Sequence, residues 1–171
     1  MHRLTIVWLL FLWSFGLSAM AQINYSWDTF KPENSNLPAA QVTQLAKSQG
    51  DTLWIGTSNG LAFLVDSTIQ DIAASSGWFV TALEIDPQGR LWVGTSSQGA
   101  FRRNIDGSFS EFSSNTLGGP GGFNHDHILS FAFDNNLVWI GTSGGGLYRY
   151  DGITWQLFNN QTTNGLLPFS D

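Results

Sequence analysis

The sequence predicts an all-β fold built from repeated antiparallel units, on three observations. One five-residue string recurs as Leu53-Trp54-Ile55-Gly56-Thr57, Leu91-Trp92-Val93-Gly94-Thr95 and Val138-Trp139-Ile140-Gly141-Thr142. Its copies lie roughly forty residues apart, a period that marks a repeat architecture. Each copy is followed by a polar turn and a glycine, at Gly60, Gly99 and Gly146. The remaining connections are punctuated by Gly, Asn and Asp, the residues a reversing chain needs.

Taken in chain order, the first segment stands outside this pattern. His2 and Arg3 make a short positive start, residues 4–17 are almost unbroken apolar sequence, and Ala19-Met20-Ala21 is an A-x-A cleavage site. That is the three-part pattern of a secretory signal peptide. The run is short for a bilayer span of about 20 residues, so the expectation is cleavage after Ala21 rather than an uncleaved anchor. The mature chain, residues 22–171, is then exported to the periplasm or beyond, with no membrane span left.

Next comes an orphan strand at residues 25–30, because Trp27-Asp28-Thr29-Phe30 matches Trp155-Gln156-Leu157-Phe158. Three units follow, at about 42–72, 79–112 and 128–158. Each reads as four short strands, A to D, with the repeated string as strand B. Asn59-Gly60 is a hairpin signal because both residues tolerate positive φ. Asp-led pairs, such as Asp106-Gly107 and Asp151-Gly152, connect C to D. Asn164 to Pro168 repeats the lead-in Ser35 to Pro38, so the chain stops at the start of a further repeat.

Strand B is apolar on both faces. A strand with one wet face alternates, so this strand must be covered on both sides. Stacked four-stranded blades provide that environment. The prediction is therefore a β-propeller fragment of about three four-stranded antiparallel blades in an incomplete ring. Trp54, Trp92 and Trp139 are assigned to packing between blades. Gly56, Gly94 and Gly141 are assigned to close approach of a neighbouring backbone.

The string, its turn glycine, the Asp-Gly turn and the closing Trp-x-x-Phe together resemble the two-component regulator propeller repeat over about residues 25–168. The resemblance implies the sensor part of a hybrid histidine kinase, exported to the periplasm, of a kind typical of Bacteroidetes and associated with glycan sensing. Such sensors carry more blades, a membrane helix and a kinase core, for which this sequence shows no signature. Closed propellers typically have about 4–8 blades, and an open stack leaves two apolar faces uncovered. Missing blades of a truncated chain, or self-association of copies, would cover them; the stop in mid-repeat favours truncation.

The bulk numbers narrow the chemistry. The 171 residues contain no cysteine and carry a formal net charge of −6. Disulfides, thiol catalysis, iron–sulfur clusters and thiolate zinc sites are excluded. An acidic chain disfavours nucleic acid and anionic membranes. Neither a Gly-x-Ser-x-Gly elbow nor a phosphate-cradling glycine motif occurs. No catalytic set, cofactor or metal site is assigned.

One polar cluster remains, His125-Asp126-His127, preceded by Phe123. On a strand, residues 125 and 127 share a face and Asp126 points away, which argues against a rigid metal site. In the blade topology the D–A and B–C loops emerge on one face, and Trp78 lies on another D–A loop. Aromatics beside hydrogen-bonding groups suit sugar rings. Trp78, Phe123, His125, Asp126 and His127 are therefore the candidate ligand-binding residues, and an oligo- or polysaccharide is the candidate ligand. The leading function is a non-catalytic, ligand- or partner-binding propeller segment of a sensor in two-component signal transduction. The alternatives are a propeller enzyme, a lyase or glycan hydrolase, and a gene fragment with no function of its own.

Overall fold

The computed structural model describes residues 27–117 and 123–164. The expected signal segment and the expected start of a further repeat, past Asn164, lie outside the described residues.

Among the described residues twelve strands form three separate four-stranded sheets, each antiparallel and each in simple chain order. Blade 1 holds β1 (Val42–Lys47), β2 (Leu53–Thr57), β3 (Gly60–Val65) and β4 (Thr68–Asp71). Blade 2 holds β5 (Val80–Ile85), β6 (Leu91–Thr95), β7 (Ala100–Arg103) and β8 (Phe109–Phe112). Blade 3 holds β9 (Ile128–Asp134), β10 (Leu137–Thr142), β11 (Gly146–Tyr150) and β12 (Trp155–Phe158). Helix among the described residues is confined to one turn, α1 (Ser114–Leu117), and a 3₁₀ turn at Ala73–Ser75. The all-β propeller-fragment prediction is borne out.

The repeated threonine has a structural role of its own. Its hydroxyl donates to the carbonyl at the start of strand C: Thr57 to Gly60 at 2.8 Å, Thr95 to Gly99 at 2.8 Å and Thr142 to Gly146 at 2.9 Å. The same oxygen accepts from the turn backbone, from Asn59 N at 3.2 Å and from Gln98 N at 2.9 Å. Each B–C hairpin is thereby stapled from inside. In blade 1 the two loop residues are Ser58 and Asn59, since Thr57 pairs with Gly60. Only Gly60 of the Asn59-Gly60 pair has positive φ. The turn with two positive-φ residues is instead Asp66-Ser67, between β3 and β4.

The A strands pack side by side, β1 against β5 and β5 against β9. The B-strand glycines explain how. A Cβ on Gly56 would sit 2.5 Å from Val80 Cγ1, and one on Gly94 would sit 2.6 Å from Ile128 Cγ2. What approaches each glycine is thus a β-branched side chain of the next blade's A strand, not the backbone expected from sequence. Thr81 reinforces the second junction by donating to Ile128 O at 2.6 Å.

Core residues form clusters between blades. Trp54, Leu61, Val80, Leu83, Val93 and Phe101 join blades 1 and 2. Trp92, Phe112, Ile128, Phe131, Ile140 and Tyr148 join blades 2 and 3. Trp54 and Trp92 are buried as expected, but Trp139 is only half-buried. Its face of blade 3 points away from blade 2, where no described blade covers it.

The orphan strand is a correction. Residues 27–30, its described part, form no ladder, and Trp27 is 93% exposed. A D strand needs a C strand to pair with, and β3, β7 and β11 already carry β4, β8 and β12. The lead-in that follows is well placed, however. Leu37 is buried on the outer face of blade 1 with Ile55, Ala62 and Ile69, and Asn36 donates to Ile69 O at 3.3 Å.

Candidate functional site

The D–A and B–C loops share one face of the stack, as the hairpin order requires. The structure separates the five candidate residues by role. Trp78 is buried, stacked on Phe101 at a centroid distance of 3.9 Å and edge-on to Phe109 at 5.2 Å. Phe123 is fully buried against Tyr148 at 4.7 Å and Trp155 at 5.1 Å. Neither ring offers a free face for stacking.

Their burial follows a rule of the repeat. Each lead-in loop drops one apolar residue onto the C strand of the blade it starts, two positions past the turn glycine. Leu37 clusters with Ala62, Trp78 stacks on Phe101, and Phe123 packs on Tyr148. The plugs are therefore parts of the core. The partner positions Ala62, Phe101 and Tyr148 were missed by sequence reading. Their common offset from Gly60, Gly99 and Gly146 is the signal that would have found them.

Asp126 is also structural. Its carboxylate accepts from Ser114 N at 2.7 Å and Ser114 Oγ at 2.5 Å, holding the start of α1. Its carbonyl accepts from Gly99 N at 3.0 Å. His125 is half-buried. Its Nδ1 lies 3.2 Å from the Tyr148 hydroxyl, and its ring occupies the space a Cβ on Gly145 would need. Burial pushes the Tyr148 hydroxyl above its ordinary range, a shift opposed by its bond to the Asn124 backbone. His127 is exposed, and its carbonyl accepts from Ser143 N at 2.9 Å. Among the described residues no group of three His, Cys, Asp or Glu side chains is placed to hold a metal ion.

What this face does present is a pair of open clefts. One, of about 250 Å³, is lined by Trp78, Ser97, Gln98, Phe101, Glu111 and Asn115. The other, of about 190 Å³, lies at Pro38, Asn59, Asp71 and Ser75 in blade 1. Both have an apolar floor from the lead-in loop and a polar rim from the B–C turn. Ser97 and Gln98 belong to a B–C loop, expected on this face, whereas Glu111 and Asn115, which sit at and beyond the end of strand D, were not among the candidate residues.

The opposite face carries the A–B and C–D turns. There Asp86 is buried and fully engaged: Oδ2 accepts from Arg90 Nε at 2.6 Å and Trp92 Nε1 at 3.0 Å, and Oδ1 from the backbone of Gln88 and Arg90. Burial raises this carboxyl, but the bonds from Trp92 and Arg90 outweigh it and hold the group below its ordinary range. Asp151 closes the last C–D turn by accepting from Ile153 N, Thr154 N and Thr154 Oγ1, and these bonds, the Thr154 amide foremost, lower its carboxyl to about 2. The Asp-led turns of the sequence are thus built on carboxylate–backbone bonds. Arg103 of blade 2 crosses to lie over Trp54 of blade 1, 5.3 Å from its ring centre.

Stacked antiparallel four-stranded blades, with innermost A strands in contact, define a β-propeller architecture. Within it, residues 74–97 match the family model of the two component regulator propeller. The chain therefore carries that repeat, as its strings suggested. The matched span is one lead-in loop, one A strand and one B strand, ending in the turn that rims the larger cleft.

Solved structures agree on the fold. The extracellular domain assigned to a one component system, BT4673 from B. thetaiotaomicron, is similar at 23% identity and a TM-score of 0.63, over 82% of this chain and 19% of that one. The extracellular domain assigned to hybrid two component system BT3049, from the same organism, is similar at 22% and 0.58, over 70% and 17%. An ancestral GH74 enzyme is similar at 17% and 0.57, over 74% and 20%. The chain thus spans about a fifth of the length of these structures. No curated protein matches it. Among the described residues no helix is long and apolar enough to cross a membrane.

Proposed function

We propose that this chain is an exported propeller segment of sensor type that binds its ligand without turning it over. The observation that carries this reading is the two component regulator propeller match at residues 74–97, which takes in Trp78 and Ser97 of the larger cleft. The extracellular domains from B. thetaiotaomicron that share the fold favour export. The ligand class that suits the larger cleft is a neutral or weakly charged saccharide. Its hydroxyls would meet Ser97, Gln98, Asn115 and Glu111 on the rim, with the edge of Trp78 below. His127 is the exposed member of the His-Asp-His cluster and the member best placed to add a contact.

A non-catalytic reading fits the chemistry of the cluster. Asp126 spends its carboxylate on Ser114, and His125 faces a tyrosine rather than an open site. The affinity of so shallow a rim should be about millimolar, near −4 kcal/mol. A panel of neutral oligosaccharides, titrated by calorimetry and by amide chemical shifts, tests the proposal. Shifts should concentrate at Ser97, Gln98 and Asn115, and Gln98→Ala should weaken binding several-fold. Binding unchanged in both Gln98→Ala and His127→Ala would move the site elsewhere. Turnover of any oligosaccharide would overturn the non-catalytic reading.

A further inference from the structure

A cleft of about 360 Å³ opens between blades 1 and 2 among the A–B and C–D turns, on the face opposite the saccharide cleft proposed above. Trp54, Leu91 and Ile105 form its apolar wall, and Arg90 and Arg103 both line it. Among the described residues none that lines it is acidic. That is a local exception in a chain of net charge −6.

The other polar side chains of the cleft are already engaged. Arg90 gives Nε to Asp86 at 2.6 Å and a terminal nitrogen to Gln88 Oε1 at 3.1 Å. Gln88 in turn donates to Asn136 Oδ1 at 3.5 Å. Asn104 donates to Ser108 Oγ at 3.0 Å and accepts from Ser110 Oγ at 3.1 Å. Arg103 differs. Among the described residues its guanidinium makes no hydrogen bond and no ion pair, and its Nε is buried without a partner. Its field reaches Asp106, but that carboxylate bonds Ser108, at 2.6 Å through the hydroxyl and 3.0 Å through the amide.

Packing does not call for a guanidinium here. The ladders set Phe63, Arg102 and Arg149 opposite the three repeated tryptophans, so the residues that follow, Leu64, Arg103 and Tyr150, are equivalent. The other blades fill the place with leucine and tyrosine. The corresponding cleft between blades 2 and 3, of about 260 Å³, has Tyr150 there, and Asp151 where the first cleft has Asn104. Arg103 does lie over Trp54, 5.3 Å from the ring centre. Such stacking uses the face of a guanidinium, leaves its edge donors free and holds them in one orientation. A charged donor group without an acceptor is costly in a partly buried place.

We propose that this cleft binds a small organic carboxylate with an apolar body. The carboxylate accepts from the terminal nitrogens of Arg103, and the body lies against Ile105 and Trp54. One free guanidinium matches one anionic group, and the remaining uncommitted wall is apolar, with Ile105 fully exposed at the rim. The size is sufficient, since small-molecule sites begin near about 300 Å³.

Cyclohexanecarboxylate is the probe, with its neutral amide, acetate and inorganic phosphate beside it. Each is titrated into the whole chain at low salt, by calorimetry and by amide, indole and arginine Nε–H chemical shifts. The probe should bind at about millimolar strength, about tenfold tighter than any of the three comparisons. Its shifts should gather at Trp54, Arg103 and Ile105. Arg103→Gln should abolish binding, and Arg149→Gln should leave it unchanged. Ile105→Ser alters a fully exposed side chain, so the fold is kept; it should weaken the probe several-fold and leave acetate as it was. No binding to the unmodified chain, an amide or phosphate held as tightly as the probe, binding retained in Arg103→Gln, an unaltered affinity in Ile105→Ser, or shifts gathered at Ser97 and Gln98 would each overturn the proposal.

Discussion

Trp92 and Trp139 occupy the same position of the same strand in neighbouring blades, yet only one of them is sealed. Each pairs across the ladder with an arginine, Arg102 or Arg149, whose guanidinium lies 5.8 Å or 5.7 Å from the ring centre. The local strand environments are therefore nearly alike. The difference is what lies in front. Trp92 faces Phe131 and Phe133 of blade 3, at 5.8 Å and 6.2 Å, and is fully buried. Among the described residues Trp139 has only its own sheet, with Phe158 at 5.6 Å. A blade supplies half of an apolar contact, and the next blade completes it. The repeat string thus describes a surface designed to be covered, and the burial of its tryptophan is a property of the stack.

The largest test of that statement is a matched pair of truncations. Trp92→Ala should cost about 3–5 kcal/mol, the usual range for removing a large buried aromatic. Trp139→Ala should cost the isolated chain about 1 kcal/mol, since a half-exposed ring gives up less transferred area. Urea melts of both variants, run at low protein concentration, check the contrast. Where Trp92→Ala does not fold, Trp92→Phe provides a milder step with the same sign. Equal losses at the two positions would mean that the strand, and not the neighbouring blade, buries the ring.

A second difference between the positions is polar. Trp92 has a buried carboxylate for its indole N–H, and the described residues give Trp139 no such partner. Asp86→Ala should therefore cost about 1–3 kcal/mol by stranding buried donors. The acid dependence carries a definite sign. The Asp86 carboxyl lies below its ordinary 3.8 in the folded chain. A depressed carboxylate contributes stability above the unfolded value, and that contribution is lost as pH falls through the folded value. The unmodified chain should keep this contribution near neutrality and lose it below about pH 4, while Asp86→Asn should show a shallower acid limb. Thermal melts from pH 7 to pH 3 compare the two.

The fold was legible because its information is local and repeated three times. Apolar residues on both faces of strand B, a glycine after each tryptophan and Asx-rich turns are all short-range signals, and they agree. The candidate site was far less legible. Trp78 and Phe123 sit in loops beside polar residues, and an aromatic there reads alike whether it floors a cleft or plugs a core. What decides is contact with Phe101 and Tyr148, some 23 and 25 residues further along. The same limit explains the glycines. Close approach at Gly56 and Gly94 was readable, but the identity of the approaching group, a side chain of the next blade, depends on pairing between repeats. Residues 27–30, the described part of the strand expected at residues 25–30, form no ladder for a related reason: the resemblance to β12 is real, but a ladder also needs a vacant partner, and among the described residues β3, β7 and β11 are taken.

The glycines give the third test. Gly94→Ala drives a methyl group into Ile128 and Ala82, at 2.6 Å and 3.0 Å. A well-packed junction offers little room to relax, and the expected cost is about 1–3 kcal/mol. Among the described residues Gly141→Ala meets only the Ser130 hydroxyl, which can rotate away, so its effect on the isolated chain should stay within about 0.5 kcal/mol. A differential scanning measurement of the pair would sharpen the comparison. A large loss at Gly141 would show that its face is already packed.

The smallest expected effect is a control, at a site where the two blades should not differ. Thr95 and Thr142 donate to the carbonyls of Gly99 and Gly146 at 2.8 Å and 2.9 Å, each inside its own hairpin. Neither staple involves the neighbouring blade. Replacing either threonine by valine keeps the shape and deletes the hydroxyl. The Gly99 carbonyl retains its bond from Thr95 N, at 3.0 Å, so no buried acceptor is orphaned. Thr95→Val also gives up the bond from Gln98 N, at 2.9 Å, but Gln98 is exposed and its amide can turn to water, so the cost should stay near that of one ordinary hydrogen bond, about 0.5–1.5 kcal/mol. It should also be the same in Thr95→Val and Thr142→Val, because the bond is local. If Thr95→Val proved much the more damaging, the inner blade would be more tightly held throughout, hairpin ends included. Equal small losses, beside the unequal tryptophans and glycines, would confine the difference between the blades to the face that another blade covers.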